Sequence, residues 1–156
     1  MKNTTLCYIE REGKYLMLYR NKKKNDANGG KYVGIGGHLE EKESPEECII
    51  REVREETALE ITAPQYRGLI TFVSDEYETE QMHLFWCDTF EGEISDCNEG
   101  ELKWVEKSQI EQLPMWAGDI YFLRKLNENI PFFTMKLVYE GNTLVELSVN
   151  GEKQKL

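Results

Sequence analysis

One segment constrains this chain more than any other. Ser44, Pro45 and Glu47 supply an N-cap, a first-turn proline and a capping-box glutamate, and predict a helix from about Pro45 to about Thr57. On both sides of it the sequence is β-prone. Thr5–Ile9 and Tyr15–Tyr19 flank a charged turn containing Gly13 and read as an opening hairpin, and Tyr32–Ile35 predicts a short strand before Gly36 and Gly37. After the helix, Tyr66–Val73 and Met82–Thr89 surround the acidic loop Asp75–Glu80, and Leu102–Val105 reads as another strand. Ser108 with Glu111 suggests a short capped helix. Ile120, Phe122, Leu123 and Leu126 have the spacing of a second amphipathic helix that ends near Asn129, before Pro131. Phe133–Tyr139 and Thr143–Val149 flank Gly141 and Asn142, a hairpin signal. Strands on both sides of each helix imply an α+β architecture with a mixed sheet.

A chain of 156 residues is the size of one ordinary domain, so a single unit over 1–156 is expected. Its 19 basic and 29 acidic side chains leave a net charge of −10, which opposes docking on DNA or RNA. A small anionic substrate remains compatible, because divalent ions held by carboxylates reverse the local field. No apolar run approaches the roughly 20 residues of a membrane span, and Met1–Thr5 is too polar for a signal peptide. Cys7, Cys48, Cys87 and Cys97 show no paired CxxC spacing, so buried thiols and a cytoplasmic location are expected. A monomer is the first expectation for the assembly and a homodimer the alternative.

At about 100° per residue, Glu52, Glu55 and Glu56 fall in one arc of the Ser44 helix beside Cys48. Ile49, Ile50, Val53 and Thr57 occupy the adjacent arc and face the core, while Glu47, Arg51 and Arg54 take the remaining side. Like charges three and four residues apart destabilise a helix by a few tenths of a kcal/mol, so Arg51 and Arg54 are expected to compensate. Two readings stand for the acidic face: an exposed ion-paired surface, or hard oxygen ligands for Mg²⁺ or Mn²⁺. A backbone carbonyl at Gly36 or Gly37 would complete such a shell, and Lys22, Lys23 or Lys24 would supply cations for phosphates. The same lysines also read as a solvated connector.

Gly37, five residues, Glu43, seven residues, then Arg51, Glu52, Val53, Arg54, Glu55, Glu56, Thr57, Ala58 and Leu59 resemble the Nudix box, G-x5-E-x7-R-E-U-x-E-E-x-G-U with U aliphatic. Every charged position agrees over 23 residues, and the one departure is Ala58 in place of glycine. If that glycine takes a positive φ at the helix end, alanine there costs about 1 kcal/mol. The resemblance implies an α/β/α sandwich of the Nudix fold, with the loop-helix of the box and a C-terminal helix followed by a β-hairpin. It also implies metal-activated attack of water on a phosphorus of a nucleoside diphosphate linked to another moiety. Glu52, Glu55 and Glu56 would be metal ligands with the Gly36 carbonyl, Glu52 or a later glutamate would lie near the water, and Arg51 and Glu43 would brace the loop and helix. The family often adds a glutamate on a later loop, for which Glu99 is favoured over Glu101.

Beyond the box, the Lys-rich loop, Gly34–Gly37 and especially Met115, Trp116, Gly118, Asp119 and Tyr121 resemble the oxidised-purine nucleoside triphosphate diphosphatases of the MutT type. In that subgroup the tryptophan stacks on the base and the following acid hydrogen-bonds the purine edge. Trp116 and Asp119 are therefore candidate substrate contacts with Lys23, Trp116 also reading as a core or helix-start anchor, while Tyr32 and Phe72 either line the same pocket or pack in the core. Val33 and Gly118 depart from the mammalian branch, which has Asn and Asp there. The implied activity is Mg²⁺-dependent hydrolysis of a nucleoside triphosphate, 8-oxo-dGTP-like, to monophosphate and pyrophosphate, which sanitises the nucleotide pool. The alternatives are another nucleotide or nucleotide conjugate as substrate, or an inactive nucleotide-sensing module. His38 and His83 read as a loop and a strand histidine, and the cysteines as buried small side chains.

Overall fold

The computed structural model describes residues 1–156. Its strands are β1 (Lys2–Arg11), β2 (Lys14–Arg20), β3 (Tyr32–Val33), β4 (Glu60–Ile61), β5 (Gln65–Ser74), β6 (Glu80–Cys87), β7 (Phe90–Glu91), β8 (Gly100–Glu106), β9 (Phe133–Glu140), β10 (Thr143–Val149) and β11 (Glu152–Gln154). The helices are α1 (Pro45–Thr57) and α2 (Asp119–Asn127), and a 3-10 segment spans Lys107–Gln112. The sheet runs β11-β10-β9-β5-β6-β1-β2-β3, with β8 also on β2 and a separate β4–β7 pair. It is mixed: β1 is parallel to β6 and β5 to β9, whereas β1–β2, β5–β6 and β9–β10 are antiparallel.

Alternation along the strands divides the apolar side chains between two cores. Tyr8, Tyr15, Met17, Ile70 and Leu84 pack with Phe122, Leu123 and Leu126 of α2, while Cys7, Ile9, Leu16, Leu18 and Phe85 pack with Ile49 and Val53 of α1. The sheet thus lies between two helices, the α/β/α sandwich expected. Arg67, 5% exposed, donates to the Leu126 and Ile130 carbonyls and so caps the C-terminal end of α2 from the sheet.

The α1 capping box forms as expected, with Glu47 N–H donating to Ser44 Oγ and Ser44 N–H to the Glu47 carboxylate. Its C-terminal end is Ala58 at φ 69°, in the left-handed region, with its N–H donating to the Arg54 carbonyl. Other expectations shift. The third strand stops at Val33 rather than Ile35, because the chain leaves β2 there to cross β1, where Ile35 exchanges two hydrogen bonds with Cys7. Glycine makes the crossing possible: a Cβ on Gly36 would fall 1.8 Å from the Thr5 carbonyl oxygen. The expected Ser108–Glu111 cap does not form; the 3-10 segment has no side-chain cap, and Glu111 pairs with Arg124 of α2. The second helix is shorter than expected and ends at Asn127. The strands β4, β7 and β11, each two or three residues, carry too little pattern to be read from sequence.

Candidate active site

A cleft of about 620 Å³ opens between one end of the sheet, the C-terminal half of α1 and the start of α2. Glu52 and Glu56 reach it from α1, Gly36 and Gly37 from the crossing segment, Glu99 from the loop before β8, and Phe72, Trp116 and Asp119 from β5 and the α2 entrance. Lys23 and Lys24 border it from the long loop after β2. Residues that the sequence scatters over the chain therefore share one space.

The carboxylate end is organised by two arginines. Arg51 donates to Glu43 at 2.7 and 2.9 Å, to Glu52 at 2.8 Å, to Glu55 at 3.1 Å and to the His38 carbonyl at 3.1 Å. It braces loop and helix as the resemblance implies, and it holds the Glu43 carboxyl down at about 2. Arg54 does not share this task, since it pairs with Glu60 outside the site. Arg20 donates to Glu99 at 2.6 Å and to Asp26 at 2.7 Å, tying the lysine loop to the acidic loop; sequence reading missed it, its only signal being a cation at the end of β2. Lys23 Nζ lies 3.3 Å from the Glu99 carboxylate, whereas Lys22 donates to the Cys97 carbonyl.

Burial raises the Glu56 carboxyl to about 9, and the neighbouring Glu99 reinforces this. Glu99 is held below its ordinary value despite burial, through its coupling to the neighbouring Glu56 carboxyl and the charge of Arg20. Glu56 is thus the protonated member of the pair at neutral pH. Burial also raises Glu52, against the pull of Arg51. Glu55 differs from both: its side chain is 57% exposed, pairs with Arg51 and lies outside the cleft lining. The wheel placed all three on one arc, but only Glu52 and Glu56 turn inward.

No three His, Cys, Asp or Glu side chains are gathered at metal-holding spacing; Arg51, Arg20 and Lys23 instead stand against the carboxylates. Two features nevertheless fit an oxygen-bound cation. Glu56 Oε2 is buried without a hydrogen-bond partner, which is costly in a folded protein unless something else satisfies it. A Cβ on Gly37 would lie 2.4–2.6 Å from the Glu52 carboxylate, so the space against that group is kept open by glycine. The Gly37 carbonyl already accepts from Thr5 N–H at 2.8 Å, which leaves Gly36 as the free carbonyl candidate.

At the other end, Trp116 is 7% exposed; its Nε1–H donates to Asn28 at 2.8 Å, and Lys31 lies 4.5 Å from its ring. Phe72 meets Trp116 edge-on at 5.4 Å. Asp119 is buried beside them, and burial raises its carboxyl to about 7, with only Lys31 opposing. Gly118 leaves no room for a second acid, since its Cβ would fall 2.7 Å from the Tyr139 hydroxyl, which accepts the Gly118 N–H. Val33 lines the cleft. Tyr32, a candidate pocket residue, does not: it packs on Tyr19 at 4.8 Å, and Lys103 donates to its hydroxyl. Its side chain follows the β2–β3 pairing, which aims it away from the cleft. His38 is exposed, His83 is hydrogen-bonded to Tyr66 in the sheet, and all four cysteines are buried and free.

A family model described as the NUDIX domain matches residues 2–126. Among curated proteins, an uncharacterized Nudix hydrolase of Bacillus subtilis is 34% identical over 128 residues, covering 79% of this chain and 77% of its own. The oxidized purine nucleoside triphosphate hydrolase of Danio rerio is 32% identical over 120 residues, covering 76% and 75%. The CTP pyrophosphohydrolase of Escherichia coli is 29% identical over 127 residues, covering 79% and 89%. Among solved structures, a MutT protein from Bacillus halodurans superposes with a TM-score of 0.87 at 25% identity, covering 97% of this chain and 99% of that one.

Proposed function

This chain belongs to the Nudix hydrolase family, and from that premise we propose that it hydrolyses an oxidised purine nucleoside triphosphate of the 8-oxo-dGTP kind to monophosphate and pyrophosphate. The observation that carries the reading is the continuity of one cleft from Glu52, Glu56 and Glu99 to Trp116, Phe72 and Asp119. A triphosphate laid along it sets its phosphates among the carboxylates and lysines and its base against the indole.

Family enzymes generally use divalent metal ions, and Mg²⁺, or Mn²⁺ in its place, suits this donor set of Glu52, Glu56, Glu99 and the Gly36 carbonyl. When bound, such an ion neutralises phosphate charge and acidifies water. The chain's own side chains do the rest. Arg51 fixes Glu52 and Glu43 in place, and Arg20 orients Glu99. Lys23 has its ammonium free to turn from Glu99 toward an added phosphate, as a point charge suits. Glu56, as a carboxylate, would help hold such an ion, and its buried Oε2, which has no hydrogen-bond partner, is the oxygen available for it. Trp116 offers a stacking face, and Asp119 accepts from donors on the purine edge when ionised.

A second reading, a different nucleoside triphosphate, draws on Gly118 and Val33, which supply neither a second acid nor an amide at those two positions. The name of the Escherichia coli relative, a CTP pyrophosphohydrolase, agrees with it. Pyrophosphate release from a panel of nucleotides, with and without Mg²⁺, separates the two. The first reading expects 8-oxo-dGTP to lead the panel and Asp119→Ala to cut its kcat/KM by roughly 10- to 200-fold, with a smaller effect on a pyrimidine triphosphate. An unchanged ratio in that variant hands the site to the second reading.

A further inference from the structure

The wall of the cleft opposite α2 is polar, and nothing in the box or in the Trp116 motif accounts for it. Strand register puts it there. Phe72 pairs with Glu80, Glu80 with Lys2, and Met82 with Thr4, so these side chains share one face of β5, β6 and β1, and all of them line the cleft. Farther along, the same face is apolar core, with Leu84, Tyr8 and Ile70 under α2. At the open end it becomes a carboxylate, an ammonium and a hydroxyl. Glu80 accepts from Thr4 Oγ1 at 2.7 Å, and Lys2 Nζ stands 3.7 Å from its other oxygen. A carboxylate takes up to about four hydrogen bonds, so Glu80 keeps acceptor capacity toward the cleft. Its side chain is 22% exposed, held in position rather than waving in solvent.

We propose that Glu80, positioned by Thr4 and flanked by Lys2, is the specificity-determining residue that tells an oxidised purine from an unmodified one. The inference rests on the purine-triphosphate reading above and assigns a second contact to that site. Its chemistry is a change of donor pattern. An unmodified purine presents the N7 lone pair beside C8–H, and a carboxylate facing N7 meets a second acceptor. Oxidation at C8 places a carbonyl oxygen at C8 and a proton on N7, so the edge becomes an acceptor next to a donor. A carboxylate with an ammonium beside it is the complement: Glu80 accepts N7–H and Lys2 donates to O8. Asp119, on the helix across the cleft, is left to read the other edge. With acids on opposed layers, the pocket suits a base that carries N–H donors on both edges and penalises one that has a donor edge on one side only.

The bland alternative is that Glu80 merely fastens the start of β6 to β1. Selectivity separates the two, since a fastening role changes stability and leaves discrimination intact. The experiment measures kcat/KM for 8-oxo-dGTP and dGTP in the wild type, Glu80→Gln and Thr4→Val, and the affinities of 8-oxo-dGMP and dGMP by calorimetry without turnover. A glutamine offers N7 either an amide donor or a carbonyl acceptor, so Glu80→Gln is expected to lower the 8-oxo-dGTP to dGTP ratio by about 10- to 100-fold. The monophosphate affinity ratio should fall in parallel, and Thr4→Val should shift both in the same direction by less. A lower unfolding midpoint with an unchanged ratio in both variants overturns the proposal and leaves the oxidised-purine reading standing. If the wild type itself fails to prefer 8-oxo-dGTP while hydrolysing other nucleotides, the substrate reading falls and this assignment falls with it.

Discussion

Replacing Asp119 by Asn tests how the base pocket is set. Asp119 occupies the first turn of α2, where the helix dipole favours an anion by about 0.3–1 kcal/mol. Burial outweighs that, raising the carboxyl from the ordinary 3.8 to about 7. Below about pH 4 the folded and unfolded chains both hold the proton. Between about pH 4 and 7 the unfolded chain releases it while the folded chain keeps it, so stability falls as pH rises, by about 1.4 kcal/mol per pH unit. Above pH 7 both forms are ionised and the folded state carries the full cost, about 4 kcal/mol at most. An Asn side chain does not titrate, so the stability gap between Asp119→Asn and wild type should widen in favour of the variant by about 2–3 kcal/mol from pH 5 to pH 8. Urea unfolding of both proteins in chelator at pH 5, 6, 7 and 8 reads this directly, because every other group, Glu56 included, cancels in the difference. Parallel pH dependences would refute the argument. The same burial matters to function: an ionised Asp119 is uncomfortable until a base donates to it, so affinity for a donor edge should rise as pH passes 7.

Glu56→Gln should keep the stability of the metal-free protein, since an amide mimics the protonated acid, yet lower turnover by on the order of 100-fold and abolish the rise in unfolding midpoint on adding Mg²⁺. Wild-type turnover at saturating Mg²⁺ would sink the ligand assignment. Lys23→Met should weaken triphosphates more than monophosphates in equilibrium binding, and equal losses would return the loop to a solvated connector. Ala58→Gly should raise stability by about 0.5–1 kcal/mol, as relief of left-handed strain exceeds the added chain entropy, and the midpoint by about 2 °C. A lower midpoint would mean that the alanine conformation is not strained.

What the sequence determined by itself lies within short range along the chain. The Ser44–Glu47 cap, the helix it starts and the strand alternation of Tyr8, Cys7 and Ile9 depend on neighbours two to four residues away, so spacing alone reveals them. The Arg51, Glu52, Glu56 pattern was legible for the same reason, and the resemblance it carries brought Glu99, Trp116 and Asp119 into view. Tertiary structure decided what faces where. Glu55 shares the helical arc of Glu52 and Glu56, yet Arg51, itself anchored on Glu43 from another segment, draws it out of the cleft. Tyr32 follows the pairing of β3 with β2 and is turned onto Tyr19. Ser108 loses its capping role because the segment winds as a 3-10 turn and Glu111 goes to Arg124. The wall of Lys2, Thr4 and Glu80 was invisible because Thr4 and Glu80 are 76 positions apart and meet only through the parallel register of β1 and β6. That register is fixed by both cores of the sheet at once, since a one-residue slip would carry every buried side chain to the wrong layer, and no local pattern in either strand contains it.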